Sequence, residues 1–447
     1  MIPFLKRTLP AAAAGLMLAS SPVVLAEQAP LNFIWIVADD LGYGDTGFNG
    51  STEIPTPNMD RIADVGVVMS TAYVSAPISG PSRAGFHTGR YQHKWGYEAL
   101  FFSSDDVEAH GTPTDVTMIQ EYLKTQGYRT GLVGKFHDGK AEKHQPYNRG
   151  FDEYFGFNNG ASSYWIGDNK NGLLHRNDQP VEREDAYLTD AFGRESVEFI
   201  QRNADKPFFL EVAFTAPHAP MSAPDDYLEK FEHLGERQKL AAMISSMDDN
   251  IGLILDTLDK KKLTDNTMVI LFSDNGGKFV HGGDNGPLRG EKAGAFEGAI
   301  RVPFAASLPG VIPAGTRSDT MISALDLFPT TVKLAGGDID PEWDLDGKDI
   351  LPVLSGETKE SPHDTLFWRY GESWALRQGE WKLVQNKRER AGLYNLADDI
   401  GEENNLIDEF PEKTRQMRQT WQELSKEFGG SEWGRYKGKT DRRMRES

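Results

Sequence analysis

Asp39 and Asp40 close one apolar run of the chain, and Asp274 and Asn275 close another. All four side chains offer hard oxygen donors, the set that suits Ca2+ or Mg2+ rather than zinc or copper. Carboxylates gathered at one spot repel one another, and a divalent cation removes that cost. An acidic pair after a strand also serves as a helix N-cap, so Asp39-Asp40 alone reads either way. Ser273-Asp274-Asn275-Gly276-Gly277 after a second run favours the metal. Lys135 and His137 follow a third run, and His218 follows a fourth. Histidine gives or takes a proton near neutrality. Lys292, ahead of Glu297-Gly298, has the charge to stabilise a transferred anion.

Residues 75–91 read SAPISGPSRAGFHTGRY. Pro81 suits a first helical turn, which has no use for its missing N–H, so the segment predicts a helix over 81–88. Such an N-terminus carries unpaired N–H groups and partial positive charge, a cradle for a tetrahedral oxyanion. Arg83 adds a bidentate fork for anion oxygens, and Ser79 stands at the mouth as a nucleophile. The plainer alternative is a Ser/Pro-rich turn leading into a helix. His87, His93, His110, His144, His175, His233, His281 and His363 are read as structural, with His93 and His175 the two suited to lining a substrate pocket.

Elements must bring these residues together. Apolar runs at 31–38, 128–133, 207–214 and 268–272 read as buried strands, and amphipathic stretches at 117–125, 186–202 and 238–258 read as helices. The alternation predicts an α/β fold with a large doubly wound, mostly parallel sheet. Ligands bind such sheets outside the carboxyl ends of the strands, where the acids, histidines and lysine fall. After 324–336 a Gly/Pro-punctuated connection leads to short strand-like pieces at 365–369, 373–376 and 381–384 and a helix at 411–428. These predict a smaller C-terminal antiparallel α+β subdomain. The expected division is 1–26, 27–357 and 358–447.

Residues 1–26 have a basic start (Lys6, Arg7), an apolar stretch over 9–18 and a small-residue end at Ala26, as a signal peptide has. The stretch is shorter than the roughly 20 residues of a membrane span. The expectation is export to the periplasm or beyond, with no membrane span. The chain has 447 residues with 48 Lys+Arg against 67 Asp+Glu, a formal charge of −19 that argues against nucleic-acid binding. It has no cysteine, which excludes disulfides, thiolate metal sites and an encoded thiol nucleophile.

Taken together, the motifs resemble those of type I sulfatases of the alkaline phosphatase superfamily. Ser79-Gly80-Pro81-Ser82-Arg83, with Thr88-Gly89-Arg90 after it, is similar to the signature in which a Cys or Ser before x-Pro-x-Arg becomes Cα-formylglycine. The resemblance continues through 38–45 (ADDLGYGD), 134–137 (GKFH), 216–220 (APHAP), 273–277 (SDNGG), Lys292 with Glu297-Gly298 and Arg301-Val302-Pro303, and the tail pieces 381–384 (WKLV) and 393–396 (LYNL). It implies one calcium ion held by Asp39, Asp40, Asp274, Asn275 and residue 79, the last as hydrated formylglycine. It further implies that Arg83 orients that diol while Asp274 helps activate it, and that Lys135 and Lys292 grip the sulfate. His218 would protonate the leaving alcohol, and His137 would take the proton that releases sulfate.

Four motifs depart from the family pattern: Ser79 where most relatives have Cys, Phe136 with Asp138, Ala299, and Trp35 in the first strand. The last three read as packing or pocket variation. Ser79 requires a serine-type maturase as a partner. The implied substrate is a sulfated oligo- or polysaccharide, carrageenan-type galactans first. The alternatives are a phosphate or phosphonate ester hydrolase of the same superfamily, and an inactive calcium-dependent binder of sulfated glycans with Ser79 unmodified. Trp95, Tyr97, Phe101, Phe102, Tyr164 and Trp165 read as rim rings for stacking on sugars or, equally, as core. A basic tail (Arg435, Lys437, Lys439, Arg442, Arg443, Arg445) reads as a solvated end or as an attractor of polyanions.

Overall fold

The computed structural model describes residues 29–100, 107–170, 172–387 and 389–432. The leader, Phe101, Phe102 and the basic residues from Arg435 onward lie outside the described residues. Ten described strands form the main sheet. Eight carry labels here: β1 (Asn32–Asp39), β2 (Val67–Met69), β3 (Arg129–Lys135), β4 (Glu153–Phe157), β5 (Phe208–Pro217), β6 (Thr267–Ser273), β7 (Phe304–Ser307) and β8 (Thr316–Ser318). Their order is β8-β2-β7-β6-β1-β5-β3-β4, followed by the short strands His175–Arg176 and Gln179–Pro180. β6, β1, β5, β3 and β4 run parallel. β7 is antiparallel to both its neighbours, and the His175–Arg176 strand is antiparallel to β4.

β1 shows why the sheet is covered on both sides. It is buried along its whole length, and its period-2 alternation sends Ile34, Ile36 and Ala38 into one core and Phe33, Trp35 and Val37 into the other. Helix α1 (Ser79–Thr88) lies on the second face. Trp35 meets Phe86 of α1 edge-on at 6.1 Å and Phe209 of β5 at 5.1 Å, so this departure from an aliphatic strand supports the helix that carries Ser79. Helices α2 (Leu188–Asn203) and α3 (Gln238–Lys261) cover the first face through Phe192, Phe199, Met243, Met247 and Ile251. The result is the doubly wound architecture.

α1 begins two residues before the start expected at Pro81. Ser82 N–H donates to the Ile78 carbonyl at 3.2 Å and closes a first turn that contains Ser79. Pro81 falls within that turn, where its missing donor costs nothing. Strands β1, β3 and β5 also run one to three residues past their apolar stretches, so Asp39 and Lys135 close strands rather than follow them.

The chain then forms an antiparallel sheet of β9 (Thr365–Tyr370), β10 (Ser373–Gln378), β11 (Trp381–Gln385) and β12 (Gly392–Asn395), covered by α4 (Pro411–Glu427). Trp421 of α4 packs on Trp374 at 4.6 Å and stacks with Phe367 at 5.8 Å. The opposite face, through Trp368, Ala375, Val384 and Tyr394, shares a core with Tyr73, Phe296 and Ile300 of the main domain. No described helix is long and apolar enough to cross a membrane.

Candidate active site

Because β1, β3, β5 and β6 are parallel neighbours, their carboxyl ends meet at one edge, and the side chains at those ends converge. Ser79 Oγ donates to Asp39 Oδ1 at 3.1 Å, and Asn275 Oδ1 lies 3.3 Å from Ser79 Oγ. Around this serine stand three acid–base pairs. Lys135 Nζ lies 2.6 Å from Asp39 Oδ2, and Lys292 Nζ lies 2.5 Å from Asp40 Oδ1. Arg83 reaches Asp274 Oδ2 through Nε and Nη2, each at 2.9 Å, and donates through Nη1 to the Lys135 carbonyl at 2.8 Å. Asn275 Nδ2 donates to Asp40 Oδ1 at 2.7 Å. All of these residues except Lys292 are buried.

The backbone is shaped for this. Asp40 takes a left-handed conformation (φ 68°) held by its N–H on Asp274 Oδ1, at 3.3 Å, and His137 takes another (φ 62°). Non-glycine residues pay about 1–3 kcal/mol for such conformations and keep them where the surroundings impose them. Within β3, a Cβ at Gly134 would sit 1.9 Å from the Ala213 carbonyl oxygen, so only glycine permits the strand approach just before Lys135.

Electrostatics follow from burial and pairing. Burial works to raise the carboxyls of Asp39 and Asp40, yet the ammonium groups of Lys135 and Lys292 respectively hold both below the ordinary value. Burial lowers Lys135 despite Asp39, whereas for Lys292 the Asp40 charge outweighs burial and raises it. His137 is pushed well below the usual imidazole value by burial and then by Lys135, Arg83 and Lys292. It is therefore neutral at physiological pH, the form that accepts a proton. His218 Nδ1 donates to the Ala219 carbonyl at 2.6 Å, which leaves Nε2 facing Asp40 Oδ2 at 3.8 Å.

The segment bearing Lys292 is stitched to its surroundings. Lys292 N–H donates to the Gly277 carbonyl at 3.2 Å, and Ala293 N–H to the Pro77 carbonyl, just before Ser79, at 2.9 Å. Further along, Glu297 is buried among Tyr73, Arg301 and Lys382, and its N–H donates to Glu402 Oε2 at 2.7 Å. Lys382 on β11 also contacts Glu402 at 2.9 Å.

Every residue expected at the site from the sequence is brought to this edge. Other expectations are corrected. His93 does not line a substrate pocket: it is fully buried, bonds the Arg369 carbonyl at 3.0 Å, and burial lowers its pKa to about 3. Tyr97 and Tyr164 are not rim rings. Both are buried, and their hydroxyls donate to the carbonyls of His137 (3.3 Å) and His218 (2.8 Å). These two tyrosines, which anchor the backbone of the two site histidines, have no sequence signal beyond being aromatic. Trp165 is 48% exposed, as a rim ring would be. His281, read as structural, is half-buried on the turn Phe279–His281 and feels Asp40, His218 and Lys292. Its position six residues beyond Asn275 was the available signal.

The family described as Sulfatase matches residues 31–337. The chain belongs to the sulfatase family. A second family, N-sulphoglucosamine sulphohydrolase, C-terminal, matches residues 291–428, starting within the segment that carries Lys292. The N-acetylgalactosamine-6-sulfatase of Canis lupus familiaris is 33% identical over 411 residues, covering 82% of this chain and 76% of that protein. Steryl-sulfatase of Homo sapiens is 30% identical over 422 residues, covering 75% and 71%. Among solved structures, Ps i-CgsB in complex with k-i-k-neocarrahexaose is 35% identical with a TM-score of 0.85, covering 93% of this chain and 97% of that one. This sulfatase is a sulfuric ester hydrolase with a large, mostly parallel sheet and a small antiparallel one.

The donor set also fits a hard cation. Asp39 Oδ1, Asn275 Oδ1 and Ser79 Oγ converge from β1, the turn after β6 and α1, with the Asp40 and Asp274 carboxylates beside them. Oxygen donors alone at such a point suit calcium or magnesium. Asp39, Asp40 and His218 present possible ligand atoms within 4.8 Å of one another. A nitrogen ligand suits Ca2+ poorly, so the oxygen set is the better description of the cation position.

Proposed function

We propose that this sulfatase removes sulfate from a sulfated carbohydrate, a carrageenan-type galactan, with Ser79 converted to Cα-formylglycine as nucleophile and one calcium ion held by Asp39, Asp40, Asp274, Asn275 and residue 79. The observation that carries the reading is the set of three acid–base pairs around Ser79, two of them fully buried and the third, Lys292–Asp40, partly so. Their charges cancel, so a divalent cation leaves the site positive and complementary to an anionic ester. Calcium would supply that charge and polarise the nucleophile's oxygen; formylglycine would supply a second hydroxyl, which an ordinary serine lacks.

The chain's own residues do the rest. Lys135 and Lys292 stabilise negative charge on the sulfate oxygens. Arg83, fixed between Asp274 and the Lys135 carbonyl, orients residue 79. His218 Nε2 delivers a proton to the leaving alcohol, and neutral His137 accepts one when sulfate departs. Trp165 and, at the turn beside the site, exposed Phe279 offer faces for a sugar ring.

In this reading residues 27–357 carry the chemistry, 358–447 form the docked subdomain, a serine-type maturase acts on Ser79, and the leader directs the protein to the periplasm or beyond. The likeness to the carrageenan-oligosaccharide complex supports the choice of substrate. Sulfate release from a panel of carrageenan, ulvan and glycosaminoglycan oligosaccharides tests it. Release from carrageenan alone is expected, and release only from one of the others would overturn the substrate.

A further inference from the structure

A cavity of about 460 Å3 opens beside the site, lined by Lys140, Gln145, Asn158, Asn159 and His175 among others. That size falls within the roughly 300–1,000 Å3 of small-ligand pockets. Its walls come from the same edge of the sheet as the active site: Asn158 and Asn159 directly follow the carboxyl end of β4, and β4 pairs in parallel with β3, which ends at Lys135. The strand His175–Arg176 pairs with β4 on its far side. Two strand spacings, roughly 10 Å, therefore separate β3, which carries Lys135, from the His175 wall. The two places are also physically joined. Gly160 abuts the His137 ring, where a Cβ would lie 3.1 Å from Cε1 and Nε2, and Asn158 accepts from Asp138 N–H at 3.0 Å.

The chemistry of the walls is unusual for this protein. The chain has 67 acidic residues against 48 basic ones, yet among the described residues no carboxylate lines this cavity. Three other cavities, of about 370, 240 and 1,030 Å3, each carry at least two. Lys140 is exposed and forms no ion pair among the described residues. His175 donates through Nε2 to the Gly172 carbonyl at 2.8 Å, so Nδ1 is its remaining polar atom. Gln145 and Asn158 are fixed to each other and to the 139–144 backbone, forming a rigid floor.

We propose that this cavity is a subsite for a second sulfate, carried by the sugar next to the one being desulfated, with Lys140 as its counter-charge and Asn159 and His175 as polar neighbours. The proposal rests on the sulfated-saccharide reading above and adds that the enzyme selects a substrate sulfated on adjoining units.

The test measures binding by calorimetry for two carrageenan oligosaccharides, one sulfated on two adjoining sugars and one on a single sugar, together with turnover of 4-nitrophenyl sulfate. The unsubstituted chain should favour the doubly sulfated ligand. Lys140→Met should weaken that ligand roughly tenfold, as loss of a charge-assisted contact does, and leave the singly sulfated one and aryl-sulfate turnover unchanged. Lys140→Arg should restore the preference. Equal affinities for the two ligands, or no effect of Lys140→Met, overturn the subsite while the saccharide reading stands. Failure of the unsubstituted chain to bind either saccharide overturns both.

Discussion

Lys382 Nζ of the C-terminal sheet lies 2.9 Å from Glu297 Oε1, both side chains being fully buried. The pair joins the small sheet to the segment that carries Lys292, and through Ala293 N–H to the residue two before Ser79. The C-terminal subdomain is therefore part of the scaffold of the active site. Lys382→Met leaves Glu297 with Arg301 and Tyr73 and leaves Glu402 without its cation. Removing one partner of a buried pair costs about 3–5 kcal/mol. Denaturant unfolding should show a loss of that order, and kcat/KM should fall well below the unfolding range because Lys292 loses its fixed position.

Asp45 should make the protein less stable as pH rises through neutrality. Burial raises its carboxyl to about 7 from an unfolded value of 3.8, only partly offset by the hydrogen bond from Asp284 N–H and by the charge of Arg237, while the Asp284 carboxylate adds a smaller upward push. Between those values the folded state holds the proton more tightly than the unfolded one. Its stabilising contribution is complete below about pH 4 and lost progressively to about pH 7, on the order of a few kcal/mol in all. Denaturant unfolding across pH 4–8 should show this fall, and Asp45→Asn should flatten it; an unchanged slope would refute the assignment.

Chelation should lower the melting temperature, and added calcium should restore it. A ligand at about 100 times its Kd stabilises the folded state by ~2.7 kcal/mol. Asp39→Asn should remove most of this calcium dependence, which differential scanning calorimetry with and without chelator would read.

His218→Ala should discriminate between leaving groups. General acid catalysis contributes about 10²–10⁴-fold, and that loss is expected on a sugar sulfate, whose alkoxide needs a proton. On 4-nitrophenyl sulfate, whose phenolate leaves unaided, the loss should be far smaller. Equal losses on both esters would remove His218 as the acid.

The large sheet and its site were legible because parallel central strands leave a strong mark. Each is an apolar run that ends abruptly at a polar residue, and parallel order brings those ends together, so Asp39, Lys135, His218 and Asp274 needed no long-range information. Pairings between distant segments left no such mark. Glu297 and Lys382 are 85 positions apart, and nothing local in WKLV announces which carboxylate the lysine meets. Tyr97 and Tyr164 carry the same ring whether they face a sugar or donate to a buried carbonyl, and His93 looks like any histidine until Arg369 is placed beside it. β12 and the His175–Arg176 strand are too short to carry a periodic pattern. The helix start at Ser79 rather than Pro81 depends on an extended Ile78 that only the packed loop imposes.

The central claim is that residue 79 acts as a formylglycine made from serine. Mass spectrometry of the tryptic peptide spanning residues 62–83, from protein co-produced with a serine-type maturase, tests it most directly when the same sample is assayed for sulfate-ester hydrolysis. The account expects a loss of about two hydrogens, located at Ser79, and activity proportional to the converted fraction. Full activity from protein in which Ser79 is unmodified would contradict it.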